Sequence, residues 1–160
     1  MSAEASIPSC DQTACDPVAQ ALQTQGFLVL APRGTSMLPL IRQGKDSVKL
    51  EPPKGRLRRF DVPLYRRKSG TGVLHRVWKV LPDGYLVCGD HQWELEKITD
   101  DQILGVMTAL YRKEKMWTLK EKRYRLYLHL FCAMPLWMRH CYWKMRGIAW
   151  RICHPFYKKK

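Results

Sequence analysis

Ser36 lies two residues after Gly34 and three before Pro39 in the stretch GTSMLPL. Glycine admits backbone conformations that a Cβ forbids, and proline stops a helix from running through the segment, so this hydroxyl is presented on a turn. A serine hydroxyl is a weak nucleophile at neutral pH and attacks a carbonyl only when a base takes its proton. Without such a base, Ser36 is a serine that caps or solvates a turn. Of the five histidines, three lie in the basic C-terminal part, which leaves His75 in VLHRVWKV and His91 in GDHQ as candidate bases. An imidazole can accept the proton during attack and return it to a leaving amine.

The elements that must position these groups are legible from punctuation and period. Asp16-Pro17 opens a short helix with Val18, Ala21 and Leu22 on one face, and Gly26 closes it. From residue 27 to 112 the pattern changes to short strands between turns: FLVLA, DSVKLE, DVPLYRR, GVLHRVWKVL, GYLVCG and ILGVMTALYRK. LPDGY at 81–85 reads as a hairpin turn, and Pro63 marks its strand as an edge or a bulge. Within GVLHRVWKVL, strand alternation puts His75 and Val77 on one side and Leu74, Arg76 and Trp78 on the other. The expectation is a mainly β domain over 27–115, preceded by an N-terminal segment, 1–26, with its short helix. It is followed by a basic, aromatic helical extension, 116–160, broken at Pro135 into segments of 117–133 and 136–152.

Charge divides the chain the same way. Residues 112–160 carry fourteen bases and two acids, so this part holds +12 of the net +14. An anionic partner is implied: a membrane surface, to which tryptophans and tyrosines interleaved with Lys and Arg are suited, or nucleic acid, on which the same aromatics would stack. The alternative is that the aromatics pack on the β domain as a helical cap. The longest apolar run near the N-terminus is FLVLA, too short to target or to span a bilayer, so neither a signal peptide nor an N-terminal transmembrane helix is expected. The six cysteines, at 10, 15, 88, 132, 141 and 153, read as free thiols. His129, Cys132, His140 and Cys141 match no zinc spacing, and neither a metal nor a cofactor is expected.

The boxes G-x-S-M-x-P, D-V-P-L-Y-R-R, H-R-V and G-D, in that order over residues 27–112, closely resemble the signal peptidase superfamily, the serine peptidases that include signal peptidase I and LexA-type repressors. Its bacterial and LexA-type members use a lysine base, whereas the endoplasmic-reticulum and archaeal type carries histidine in an H-R-V context, which this chain resembles. The resemblance implies a LexA/signal-peptidase-like antiparallel β core, with Ser36 as nucleophile, His75 as general base and the Ser36 backbone N–H as an oxyanion donor. The third member of the triad is Glu96, six residues after Asp90, or Asp90 itself. Met37 and Leu38 would line an apolar site for small substrate side chains, and the peptide would bind extended as an added strand.

The chain departs from that family at two places. A hydroxyl donor that some members carry two residues before the nucleophile is Gly34 here, and no membrane-spanning segment is expected before Ser36. The implied function is a serine endopeptidase acting on a leader or signal-like peptide, membrane-associated on the cytoplasmic side. The alternative is an inactive domain of the same fold whose basic tail binds membrane or nucleic acid. A self-cleaving LexA-type regulator would need a lysine base and an Ala-Gly bond upstream, and the sequence has neither.

Overall fold

The structure is a computed structural model that describes the backbone of residues 17–113 and 115–153 and side chains as far as 148. Residues 1–16, with Cys10 and Cys15, and residues 154–160 lie outside it, as do the side chains of Trp150, Arg151 and Cys153. The fold is mainly antiparallel β with helices at both ends.

Pro17 opens helix α1 (Pro17–Gln25), where its missing N–H leaves no bond unmade, and Gly26 N–H closes it onto the Leu22 carbonyl at 3.0 Å. The face that packs is Ala19 and Leu22, with Val18 only partly buried. Two sheets follow. The larger runs in the order β1 (Leu28–Leu30), β2 (Asp46–Glu51), β8 (Ile103–Arg112), β3 (Pro63–Arg66), β4 (Gly72–Leu74), and β9 (Lys115–Thr118) pairs with the far half of β8. The smaller is β5 (Arg76–Leu81), β6 (Gly84–Cys88) and β7 (Glu96–Ile98). In β2 the burial alternates residue by residue, as a strand with one packed face requires.

Three differences from the sequence reading have physical causes. GVLHRVWKVL is two strands, interrupted at His75: β4 closes the large sheet and β5 opens the small one, so the chain changes sheets at the histidine. Leu74 packs in one hydrophobic cluster with Val62, Leu64 and Leu104, and Val77 in a second with Tyr85, Val87 and Ile98, so the chain passes from one cluster to the other at the break. Pro63 is not on an edge, since β3 lies between β8 and β4; the irregularity is a register shift at Leu64/Tyr65. Residues 115–118 form a strand and not the start of a helix, with Trp117 lying under the Arg112 and Arg123 guanidinium groups.

Helix then begins at α2 (Lys122–Tyr127), continues as a π-helical turn over Leu128–Cys132, breaks before Pro135 and resumes as α3 (Leu136–Cys153). These segments are continuous with the β core. Tyr124 belongs to the main hydrophobic cluster, and Cys132 and Arg139 are buried. No helix among the described residues is long and apolar enough to cross a membrane.

The segments meet at one buried ion pair. Arg76 Nε and Nη2 donate to Asp90 Oδ1 and Oδ2 at 2.8 and 2.7 Å, with side chains 2% and 0% exposed. Tyr127 donates its hydroxyl to Asp90 Oδ2 at 2.8 Å, while Arg76 Nη1 donates to Tyr124 Oη and the Phe60 carbonyl, both at 2.9 Å. Removing one partner of such a pair strands the other charge in a dry site. Asp90→Asn should therefore destabilise the fold by about 3–5 kcal/mol, read as a lowered urea midpoint. A loss of only a few tenths would mean that water reaches Arg76.

Candidate active site

The Ser36 turn is braced from both sides. Gly34 has φ +94°, a conformation that residues with a Cβ rarely adopt, and its N–H donates to Gln43 Oε1 at 2.8 Å. Leu38 N–H then closes on the Thr35 carbonyl at 3.2 Å, and Ile41 N–H on Met37 at 2.9 Å. From the opposite side, His91 N–H donates to the Ser36 carbonyl at 2.8 Å. Gly89 lies so close that a Cβ on it would stand 2.6 Å from Ser36 O and 3.1 Å from Ser36 Cβ. This explains the glycine of the G-D box: any side chain there would push the serine away. Among the described residues nothing accepts the Ser36 N–H, which leaves it free to donate.

His75 is 4% exposed, at the point where the chain passes from one sheet to the other. Its Nδ1 lies 3.1 Å from the Tyr65 hydroxyl, and that hydroxyl donates its one proton to Glu96 Oε2 at 2.6 Å. With the proton so committed, Tyr65 Oη can only accept from His75, so Nδ1 carries the hydrogen and Nε2 keeps a lone pair. Glu96 is held in turn by Arg67, whose Nε reaches Oε1 at 2.8 Å and whose Nη2 reaches Oε2 at 2.6 Å. Burial opposes ionisation of Glu96, yet the hydrogen bonds from Arg67 and Tyr65 outweigh it and keep the carboxylate below its ordinary range. Burial, reinforced by the Arg67 charge and only partly opposed by Glu96 and Asp90, lowers the His75 pKa to about 4. The imidazole is neutral at neutral pH, as a base must be.

Ser36 and His75 line one open cleft of about 580 Å³. No hydrogen bond joins them, and a loose nucleophile–base pair is common in sites without substrate. The apolar wall is built by Leu30, Met37, Ile41, Leu64, Leu74 and Leu104, and the rim carries Arg33, Arg66 and Arg67. Met37 thus lines the cleft as expected, although it is 4% exposed and packed mainly into the core. Leu38 is not part of the lining.

Of the two carboxylates, Glu96 reaches His75 only through Tyr65, and Asp90 spends its oxygens on Arg76 and Tyr127. His91 stacks its ring on Trp143, centroids 3.9 Å apart, and takes part through its backbone. Tyr65, Arg67 and Gln92 were not singled out from the sequence. The D-V-P-L-Y-R-R box holds the first two, and an alternation argument from Pro63 would have put Tyr65 on the face toward the small sheet, where it is fully buried. Gln92 also lines the cleft, its amide oxygen within 2.8 Å of the same Gly89 Cβ position that crowds Ser36.

A scan against protein-family models finds no match to the chain, and a search of curated proteins finds no significant match. The geometry therefore carries the functional argument by itself. If Tyr65 sets the imidazole tautomer, Tyr65→Phe should lower turnover by about a hundredfold with little change in KM. Glu96→Gln, one bond further away, should cost less. Equal rates in Tyr65→Phe and the unaltered chain would remove Tyr65 from the site.

Proposed function

We propose that the protein is a serine endopeptidase of signal-peptidase type that cleaves a leader or signal-like peptide and works in association with a membrane. The observation that carries this reading is a buried His75 with its Nδ1 engaged by Tyr65, on the same cleft as a serine presented by a positive-φ glycine turn.

The substrate binds extended. β1 and β4 are edge strands of the large sheet that both contribute to the cleft, so a peptide pairing with either edge runs past Ser36. The apolar wall takes its small side chains. As Ser36 Oγ attacks the scissile carbonyl, His75 Nε2 takes the hydroxyl proton, and the negative charge forming on the carbonyl oxygen is met by the Ser36 N–H and by the Gln92 amide. His75 then gives its proton to the departing amine. Water enters, loses a proton to His75 and cleaves the acyl-serine ester, and the proton returns to Ser36. Tyr65 and Glu96 hold the ring throughout and stabilise the imidazolium.

Ser36→Ala should abolish cleavage of a signal-like peptide without altering the fold. The pH dependence follows from the lowered His75 pKa: a base active in its neutral form works above that pKa and fails as pH falls through it. The acid limb of kcat/KM should have its midpoint near pH 4, where His75 titrates, and not near that of a free imidazole. Cleavage that persists in Ser36→Ala assigns the activity elsewhere. Absence of cleavage in the unaltered chain across a library of leader peptides would favour the inactive, binding-only reading.

A further inference from the structure

A helix at a protein surface ordinarily packs its apolar stripe inward and shows charge to solvent. α3 does the reverse. Its inward side carries Arg139, 2% exposed, which donates to the backbone carbonyls of Asp90 at 2.6 Å and Gly89 at 3.2 Å, and Trp143, which stacks on His91. Its outward side shows Trp137, Cys141, Met145 and Ile148 on successive turns, with Met138 beside them; Trp137 is 68% exposed and Met145 70%. At 3.6 residues per turn these five fall within an arc of about 100°, on the side away from Arg139. Leu126 on α2 and Leu130 on the π-helical turn are exposed as well.

Charge indicates what covers this face. No acidic residue follows Glu121 in the sequence; Lys144 borders the apolar stripe on α3, Arg146 lies beside Tyr142 and Trp143, and α2 carries Lys122, Arg123 and Arg125. A second copy would bring the same positive segment against its own kind. Single-stranded nucleic acid stacks on flat rings, whereas Met138, Met145, Ile148, Leu126 and Leu130 offer none. An anionic bilayer takes both parts at once: apolar side chains enter the acyl boundary, tryptophan settles at the headgroups, and Lys and Arg reach the phosphates.

We propose that α3 is an interfacial helix that lies on an anionic bilayer surface through Trp137, Met138, Cys141, Met145 and Ile148. Its opposite face grips the Gly89–His91 loop behind Ser36. No residue of α2 or α3 lines the catalytic cleft, so seating leaves the cleft open. The membrane association stated above thereby gains a defined surface, and that surface does not depend on the protein being a peptidase.

The test uses the full chain carrying Ser36→Ala, so that catalysis plays no part, and co-sedimentation with vesicles. Binding to phosphatidylcholine–phosphatidylserine vesicles should exceed binding to phosphatidylcholine alone and weaken with salt. Met145→Glu, and separately Trp137→Ser with Ile148→Glu, should each reduce it by about tenfold or more. The thermal transition should not move, because these side chains are in solvent. The proposal would be overturned by vesicle binding indifferent to both sets of substitutions, by tighter retention by a single-stranded oligonucleotide than by the anionic vesicles, or by a dimer in solution that Met145→Glu dissociates. Absence of vesicle binding by the chain with α3 unaltered, while the Ser36 protein still cleaves peptide, would sink this inference alone.

Discussion

Arg76 and Asp90 carry opposite charges into a region from which water is excluded, and each pays a desolvation penalty of several kcal/mol that a single contact would not offset. Two parallel charge-assisted bonds, two tyrosine hydroxyls and the Phe60 carbonyl together satisfy them. The residues next to the pair in sequence give it its importance. His75 precedes Arg76, and Gly89 precedes Asp90. Holding the pair together therefore places the imidazole, just before β5, and the glycine that abuts Ser36, just after β6, in a fixed relation. The pair thus ties the His75 segment to the Gly89 loop that abuts Ser36, through an interaction that neither His75 nor Ser36 makes.

A second line of contacts controls protons. Arg67, Glu96, Tyr65 and His75 form one run from the cleft rim to the buried ring, in which Arg67 and the Tyr65 hydroxyl both donate to the Glu96 carboxylate. Burial alone would leave the ring neutral but free to choose its tautomer. The tyrosine removes that choice without placing a full negative charge against the imidazole. The carboxylate's influence is thus attenuated by one side chain, consistent with a histidine whose pKa stays low even with Glu96 nearby.

Much of the fold was legible because strand alternation, the Asp-Pro helix start and the LPDGY turn are local signals. β2, for example, has the same bounds in sequence and structure. β7 and β9 escaped notice because they are short and polar or basic, and become strands only by pairing with β6 and β8. In the site, Ser36 and His75 could be chosen from turn chemistry and a short list of bases, whereas the place of the acid could not. Counting residues from Asp90 finds Glu96, but nothing along one strand says that a tyrosine from another stands between it and the histidine. The function of Asp90 was likewise hidden, since its partners Tyr127 and Arg139 lie dozens of residues further along in a segment that reads as a separate tail.

The grip of Arg139 on the Gly89 and Asp90 carbonyls spans a long stretch of chain. During synthesis the serine turn, the histidine and both sheets emerge from the ribosome well before residue 139 does. Until then the loop behind Ser36 lacks its last support, and the buried carboxylate lacks the Tyr127 hydroxyl. Such long-range contacts form late, after the local hairpins have closed. The order in which the segments are made therefore sets the order in which the backing of the Ser36 turn is completed, with the C-terminal helix closing it last.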